Sequence, residues 1–188
     1  MDVFDKALTF ALKAHEGQIR KRENIPFILH PCKAASIAAT LTDDREILAA
    51  VLLHDTVEDT DTTIDEVREA LGDRVAELVA GETENAYEEL SSEESWKRRK
   101  EESLAHLAHT DDPGVKIMWL SDKLSNMRSF YHQFLQEGDA MWEHYHQKDK
   151  VQQAWYYHTI AELLNEFSDT AAYKEYTTLM NNIFGGKI

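Results

Sequence analysis

With a single cysteine, Cys32, the chain cannot close an intrachain disulfide, a pattern that fits a reducing compartment. Only three prolines and seven glycines interrupt 188 residues, which leaves room for long helices. No stretch approaches the ~20 consecutive apolar residues of a membrane span. The opening residues, Met1-Asp2-Val3-Phe4-Asp5-Lys6, lack a basic segment followed by an apolar one, so no secretory signal is expected and a cytoplasmic location is. Positive charge is scarce as well: 20 basic residues stand against 35 acidic ones, for a net charge of −15. That balance argues against broad binding to nucleic acid or to an anionic membrane. It also makes the two dense basic clusters informative, Arg20-Lys21-Arg22 and Lys97-Arg98-Arg99-Lys100. Taken alone, each reads as a solvated helix end or loop. The sharper reading is a polyphosphate pocket in an otherwise repelling protein. The oligomeric state is left open.

What is present is helical periodicity. Phe4, Leu8, Ala11, Leu12 and His15 recur at helical spacing over residues 3 to about 16, and Gly17 is placed as a stop. Residues 18–28 read as a polar, partly basic loop. His30-Pro31 opens the next helix, which gives way to another across the capping turn Thr42-Asp43-Asp44. Thr63-Ile64-Asp65-Glu66 carries a capping box, and Gly72 and Gly81 bound two short helices. The Glu-rich residues 82–94 read as a solvated loop or an acidic lid. Helices are then expected over 96–108, 115–130, from 139 to about 167, and over 171–184. No alternating strand pattern, internal repeat or linker stands out, so the expected fold is all-α in one domain, with an active-site core at about 7–130 and C-terminal helices at 139–185.

One stretch calls for chemistry. The apolar run 47–53 leads straight into His54-Asp55, with Glu58 and Asp59 just after. Charges at the end of a core helix are costly unless they are paired or bound to a metal. Imidazole beside carboxylate is a donor set that suits a divalent transition ion. Asp122 sits in the middle of the apolar 115–130 helix, with Asn126 one turn on, and it too needs a partner. On residue type alone Glu58 and Asp59 read as helix-end charges. The remaining histidines and the aromatic set around residues 119–157 read as surface and core groups respectively, and His15 as a structural residue near the site.

The set His30, His54-Asp55 and Asp122 resembles the metal ligands of the HD-domain metal-dependent phosphohydrolases. Ala14-His15-Glu16-Gly17-Gln18-Ile19-Arg20-Lys21, Pro26-Phe27-Ile28-Leu29-His30-Pro31, Leu53-His54-Asp55-Thr56-Val57-Glu58-Asp59-Thr60 and Leu120-Ser121-Asp122-Lys123-Leu124-Ser125-Asn126-Met127-Arg128 narrow the likeness to the small alarmone hydrolases of the Rel/Spo-homologue type. The resemblance implies a single HD-domain helical bundle that hydrolyses (p)ppGpp or a related purine alarmone at its 3′-diphosphate. It implies one divalent ion, Mn²⁺, held by His30, His54, Asp55 and Asp122, with Glu58 and Asp59 as catalytic acids or bases. It places Arg20, Lys21, Asn126, Lys97 and Lys150 on the substrate, the last two toward a 5′-phosphate.

The sequence departs from the pattern at Arg22, where many relatives have glycine, and at Ala154, where some have tyrosine. These departures bear on the base and the 5′ side and leave the metal chemistry alone. Two other functions remain open: an HD phosphohydrolase for another nucleotide, and a non-catalytic nucleotide-sensing module.

Overall fold

The computed structural model describes residues 2–20, 23–83 and 91–185. Its fold is all-α. The helices are α1 (Val3–Ala14), α2 (Leu29–Ala38), α3 (Arg45–Leu53), α4 (Thr56–Asp59), α5 (Ile64–Leu71), α6 (Asp73–Ala80), α7 (Ser92–His109), α8 (Pro113–Glu137), α9 (Lys150–Leu163) and α10 (Ala171–Phe184). Two compact units emerge, one built from 1–83 with 112–122 and the other from 84–111 with 123–188. The long α8 contributes residues to both. Among the described residues, no helix is long and apolar enough to cross a membrane.

The first unit is organised around α3. Every residue from Ile47 to Leu53 is buried, so this helix presents no polar face, and it packs against α1, α2 and α6. Ala7 and Ala11 on α1 and Ala49 and Ala50 on α3 are fully buried, and side chains this small suit close helix approach. Burying Leu52 and Leu53 contributes about 1.5–3 kcal/mol each. The start of α3 is set by Asp44, whose side chain accepts from the backbone N–H of Glu46 and Ile47. Thr63 and Glu66 form the expected capping box on α5. Gly72 joins α5 to α6 at φ 95°, a conformation that side chains resist.

At the start of α8, Asp112 accepts from the Gly114 N–H at 2.8 Å and from both terminal guanidinium nitrogens, Nη1 and Nη2, of Arg74 on α6. Pro113 follows at the first helical position, where its missing N–H costs nothing. A Cβ at Gly114 would come within 2.8 Å of Leu78 Cδ2 and 3.1 Å of Asp112 Oδ1, so a larger residue here would have to displace the end of the buried Leu78 side chain.

The second unit has an aromatic interior. Phe130 meets Trp142, Tyr145 and Tyr157 edge-on with ring centroids 5.1–5.6 Å apart, and Phe184 stacks on Trp142 at 5.4 Å. Here α9 packs against α7 and α10. Arg128 reaches Glu175 through two hydrogen bonds of 2.6 and 2.7 Å, which fasten α10 to α8.

Four local details differ from the periodicity reading. Residues 18–28 contain a small antiparallel hairpin, in which Ile19 faces Pro26 and Arg20 faces Ile25. The helix expected from Trp96 begins at Ser92, because Ser91 and Glu94 make a second capping box. The 115–130 helix runs on to Glu137. The helix expected from 139 to 167 is a 3-10 segment, Gly138–His144, followed by α9, whose start is fixed by Asp149 accepting from the Val151 N–H. The acidic-lid reading falls largely on 84–90, outside the described residues.

Candidate metal centre and active site

The first unit gathers two histidines and two aspartates on one point. His30 enters from the first turn of α2, and His54 and Asp55 follow the last residue of α3. Asp122 comes from α8. His30 Nε2 lies 3.0 Å from Asp122 Oδ1, 3.4 Å from Asp55 Oδ2 and 3.2 Å from His54 Nε2. His54 Nε2 lies 3.2 Å from Asp55 Oδ2 and 3.3 Å from Asp122 Oδ1. His30, His54 and Asp122 are buried, and the Asp55 side chain is 23% exposed. At bonds of about 2.0–2.1 Å, ligands at right angles around a small divalent ion sit ~3.0 Å apart. The cluster is therefore consistent with one shared divalent ion. Among the described residues, His30, His54 and Asp122 form the one group of three or more such side chains gathered closely enough to hold a metal.

The backbone aims these rings. His54 Nδ1–H donates to the Val51 carbonyl at 2.8 Å, which turns Nε2 toward the aspartates, the orientation that a metal-binding histidine needs. Electrostatics favour positive charge at the centre. Burial holds the His30 pKa below the usual histidine value, against the pull of Asp122 and Asp55. Burial acts on His54 in the same sense, but the Asp55 charge and hydrogen bonds to Asp122 and Asp55 carry it well above that value. Asp55 would be raised by its own burial, yet His54 draws it down to about 2. Two carboxylates around buried imidazoles attract a cation.

Beside this cluster, Asp59 ends the four-residue α4. Burial, then the Asp55 charge, raise its pKa to about 6, partly offset by His54 and Arg20. A carboxyl group tuned near neutrality is suited to accepting and returning a proton. Glu58, next to it on α4, is exposed, and so is Asp59 as a whole residue, its carboxylate only partly enclosed. Arg20 lies on β1, its Nε 3.3 Å from Glu23 Oε1, and Glu23 in turn reaches Lys33 at 3.3 Å.

The other expected substrate contacts belong to the second unit, apart from Lys21, which with Arg22 lies outside the described residues. Asn126 is half-buried one turn beyond Asp122 on α8. Lys97 sits over the Trp155 ring, 3.0 Å from its centroid. Lys150 pairs with Asp139 at 2.6 Å and lies over the Phe134 ring. Cys32 is half-buried, and burial raises its thiol pKa, which suits a packing residue better than a nucleophile.

Sequence reasoning gave no role to Gln18, Phe27 or Thr56 and left His15 as structural. The structure joins them. His15 is buried, its Nδ1 2.8 Å from Gln18 Oε1 and its Nε2 3.3 Å from Thr56 Oγ1, and its ring stacks on Phe27. The available signal was their position, since all four fall inside the stretches that carry the resemblance.

This helical fold with its buried His/Asp cluster defines a class, and comparison agrees: the model of the HD domain family matches residues 7–144, and the chain belongs to that family. Among its relatives is the guanosine-3′,5′-bis(diphosphate) 3′-pyrophosphohydrolase of Aquifex aeolicus (strain VF5), 40% identical over 126 residues that make up 67% of this chain and 17% of that protein. MESH1 of Homo sapiens, a protein of the same designation, is 40% identical over 129 residues, 65% of this chain and 66% of that one. The chain thus spans a small part of the Aquifex protein's length. Among solved structures, lmo0812 of Listeria monocytogenes EGD-e superposes with a TM-score of 0.71 at 31% identity, covering 84% of this chain and 99% of that one. A metazoan SpoT ortholog gives a TM-score of 0.76 over 97% of this chain and 96% of that one; at 24% identity it bears on the fold alone.

Proposed function

We propose that this protein is a Mn²⁺-dependent pyrophosphohydrolase that removes the 3′-diphosphate of (p)ppGpp or a related purine alarmone. The observation that carries the reading is that His30 and His54 each lie 3.0–3.4 Å from both Asp55 and Asp122, with Asp59 at hand to move a proton. The substrate class comes from relatives whose names state this activity. His30, His54, Asp55 and Asp122 hold the ion, which when bound supplies Lewis-acid activation of a phosphate and of water. Asp59 and Glu58 orient the attacking water, take its proton and return one to the leaving oxygen. Arg20 and Lys21 engage the base and ribose, a planar cation for stacking beside a point charge. Asn126 contacts the nucleotide, and Lys97 and Lys150 meet its 5′-phosphates.

The whole chain acts as one hydrolase domain, and the ligand is a nucleotide polyphosphate in place of nucleic acid, in keeping with a net charge of −15. A cytoplasmic setting suits the unpaired Cys32.

Purified protein supplied with Mn²⁺ and ppGpp is expected to release pyrophosphate; release of orthophosphate alone, or no turnover, would overturn the proposal. A second reading, an HD phosphohydrolase for a different nucleotide, is favoured by Lys97 and Lys150 being engaged within the chain by Trp155 and Asp139. A nucleotide panel ranked by kcat/KM separates the two. A non-catalytic sensor would bind nucleotide with no product formed.

A further inference from the structure

The geometry points to His15 and Gln18 as positioning residues: we infer that they brace α4 from both ends and so fix the Asp59 carboxylate beside the metal cluster. The inference rests on the role given to Asp59 above. α4 spans Thr56–Asp59, four residues, too few to persist on helix formation alone. Its one internal turn is closed by the Asp59 N–H donating to Asp55 O at 2.8 Å. The C-cap residue Thr60 adds a hydroxyl bond to the Thr56 carbonyl at 2.6 Å, and further support reaches both ends from α1 and the segment after it.

Gln18 Oε1 can only accept, so His15 Nδ1–H donates to it at 2.8 Å. With Nδ1 carrying that hydrogen, Nε2 faces the Thr56 hydroxyl at 3.3 Å, placed to accept from it. Gln18 completes the path by donating from Nε2 to the Asp59 carbonyl at 2.9 Å. One directional chain of hydrogen bonds therefore begins at the first residue of α4 and returns to the last. Thr56 is fully buried and His15 is 3% exposed, so water does not readily replace these bonds at that end.

The brace is itself held. Phe27 stacks on His15 with ring centroids 4.8 Å apart and turns its edge to His30 at 6.1 Å. The Phe27 N–H also donates to Gln18 O at 2.9 Å. The brace thus links the strand carrying Arg20, the helix carrying Asp59 and a member of the metal cluster. Losing the exposed Gln18–Asp59 bond costs the fold little, whereas displacing a reacting group by 1 Å can cost about 10²-fold in rate.

The test compares Gln18→Met, which keeps the length and removes both bonds, with the native protein and with Asp59→Asn. Gln18→Met is expected to lower kcat about 10- to 100-fold while KM and Mn²⁺ affinity stay within about twofold. It is also expected to speed amide hydrogen exchange across residues 57–62 without changing exchange in α3. Added to Asp59→Asn it should cause no further loss, because residues that act through one group are not additive. Native kcat and native exchange in Gln18→Met, or a loss that multiplies with that of Asp59→Asn, would overturn the inference. Should Gln18→Met fail to fold, Gln18→Glu is read in the same way, since it keeps the acceptor for His15 and loses the donor to Asp59. If the native protein hydrolyses none of the nucleotides offered, the proposed function fails by itself. The exchange experiment still decides the brace: faster exchange across 57–62 upholds it, and unchanged exchange removes it.

Discussion

The two units of this chain bury different chemistry. The first encloses His15, His30, His54, Thr56 and Asp122, groups that are expensive to take out of water. The second fills its interior with Phe130, Trp142, Tyr157 and Phe184. Its named cations lie against aromatic faces or acids, Lys97 over Trp155 and Lys150 beside Asp139. A fold tolerates buried imidazoles and carboxylates where they satisfy one another or share an ion, and the first unit does so at one point. By our proposal the reactive groups are those of the first unit; the second is dominated by aromatic packing.

Substitutions put that contrast to the test. The largest effect belongs to His54→Ala, which should abolish Mn²⁺ binding and reduce kcat/KM by about 10³-fold or more, the several kcal/mol that metal catalysis supplies; calorimetric metal titration and a pyrophosphate assay check both. Asp59→Asn and Glu58→Gln should each lower kcat by about 10²- to 10³-fold with the metal retained, as expected for loss of general acid-base catalysis.

Smaller is the effect of Asp112→Ala on stability. It removes the α8 cap, about 1 kcal/mol, and a partly exposed ion pair with Arg74 that adds less than about 1 kcal/mol after solvent screening. Hydrogen bonds from Arg74, then from Gly114, hold the Asp112 pKa below the usual carboxylate value. Because the folded form releases its proton more readily than the unfolded one, this stabilisation is present at neutral pH. It is lost as pH falls through the ordinary carboxylate range toward the lowered value. Urea denaturation of Asp112→Ala should therefore show a shallower loss of stability on acidification, with kcat unchanged.

The smallest changes are expected from Lys97→Ala and Lys150→Ala, each raising KM by about two- to tenfold, within the range of partly exposed charge contacts. A kcat loss at either lysine as large as that at Asp59 would erase the contrast between the units.

Much of this was legible in the residues themselves. The apolar run 47–53 ending in His54-Asp55 marked the central helix and pointed to the buried His/Asp cluster, because a helix without a polar face must be buried and a charge at its end must be answered. Asp122 inside an apolar helix carried the same message. Thr63 with Glu66 announced its helix start directly. What escaped were features that local periodicity does not encode. Two-residue strands such as Ile19–Arg20 are too short to show alternation. The stop before α9 depends on Asp149 as a cap within a run of good helix formers. The brace joins side chains 41 positions apart, His15 to Thr56 and Gln18 to Asp59, a pairing that exists only once α1 and α3 have packed. The partners of Lys97 and Lys150 are tertiary in the same way.

The account stands on His30 and His54 sharing one ion with Asp55 and Asp122. Pulsed EPR of Mn²⁺ bound to protein carrying ¹⁵N-labelled histidine reads this directly. Couplings from two imidazole nitrogens are predicted, falling to one in His30→Ala if the ion is retained. Bound Mn²⁺ without histidine nitrogen couplings would contradict the shared centre.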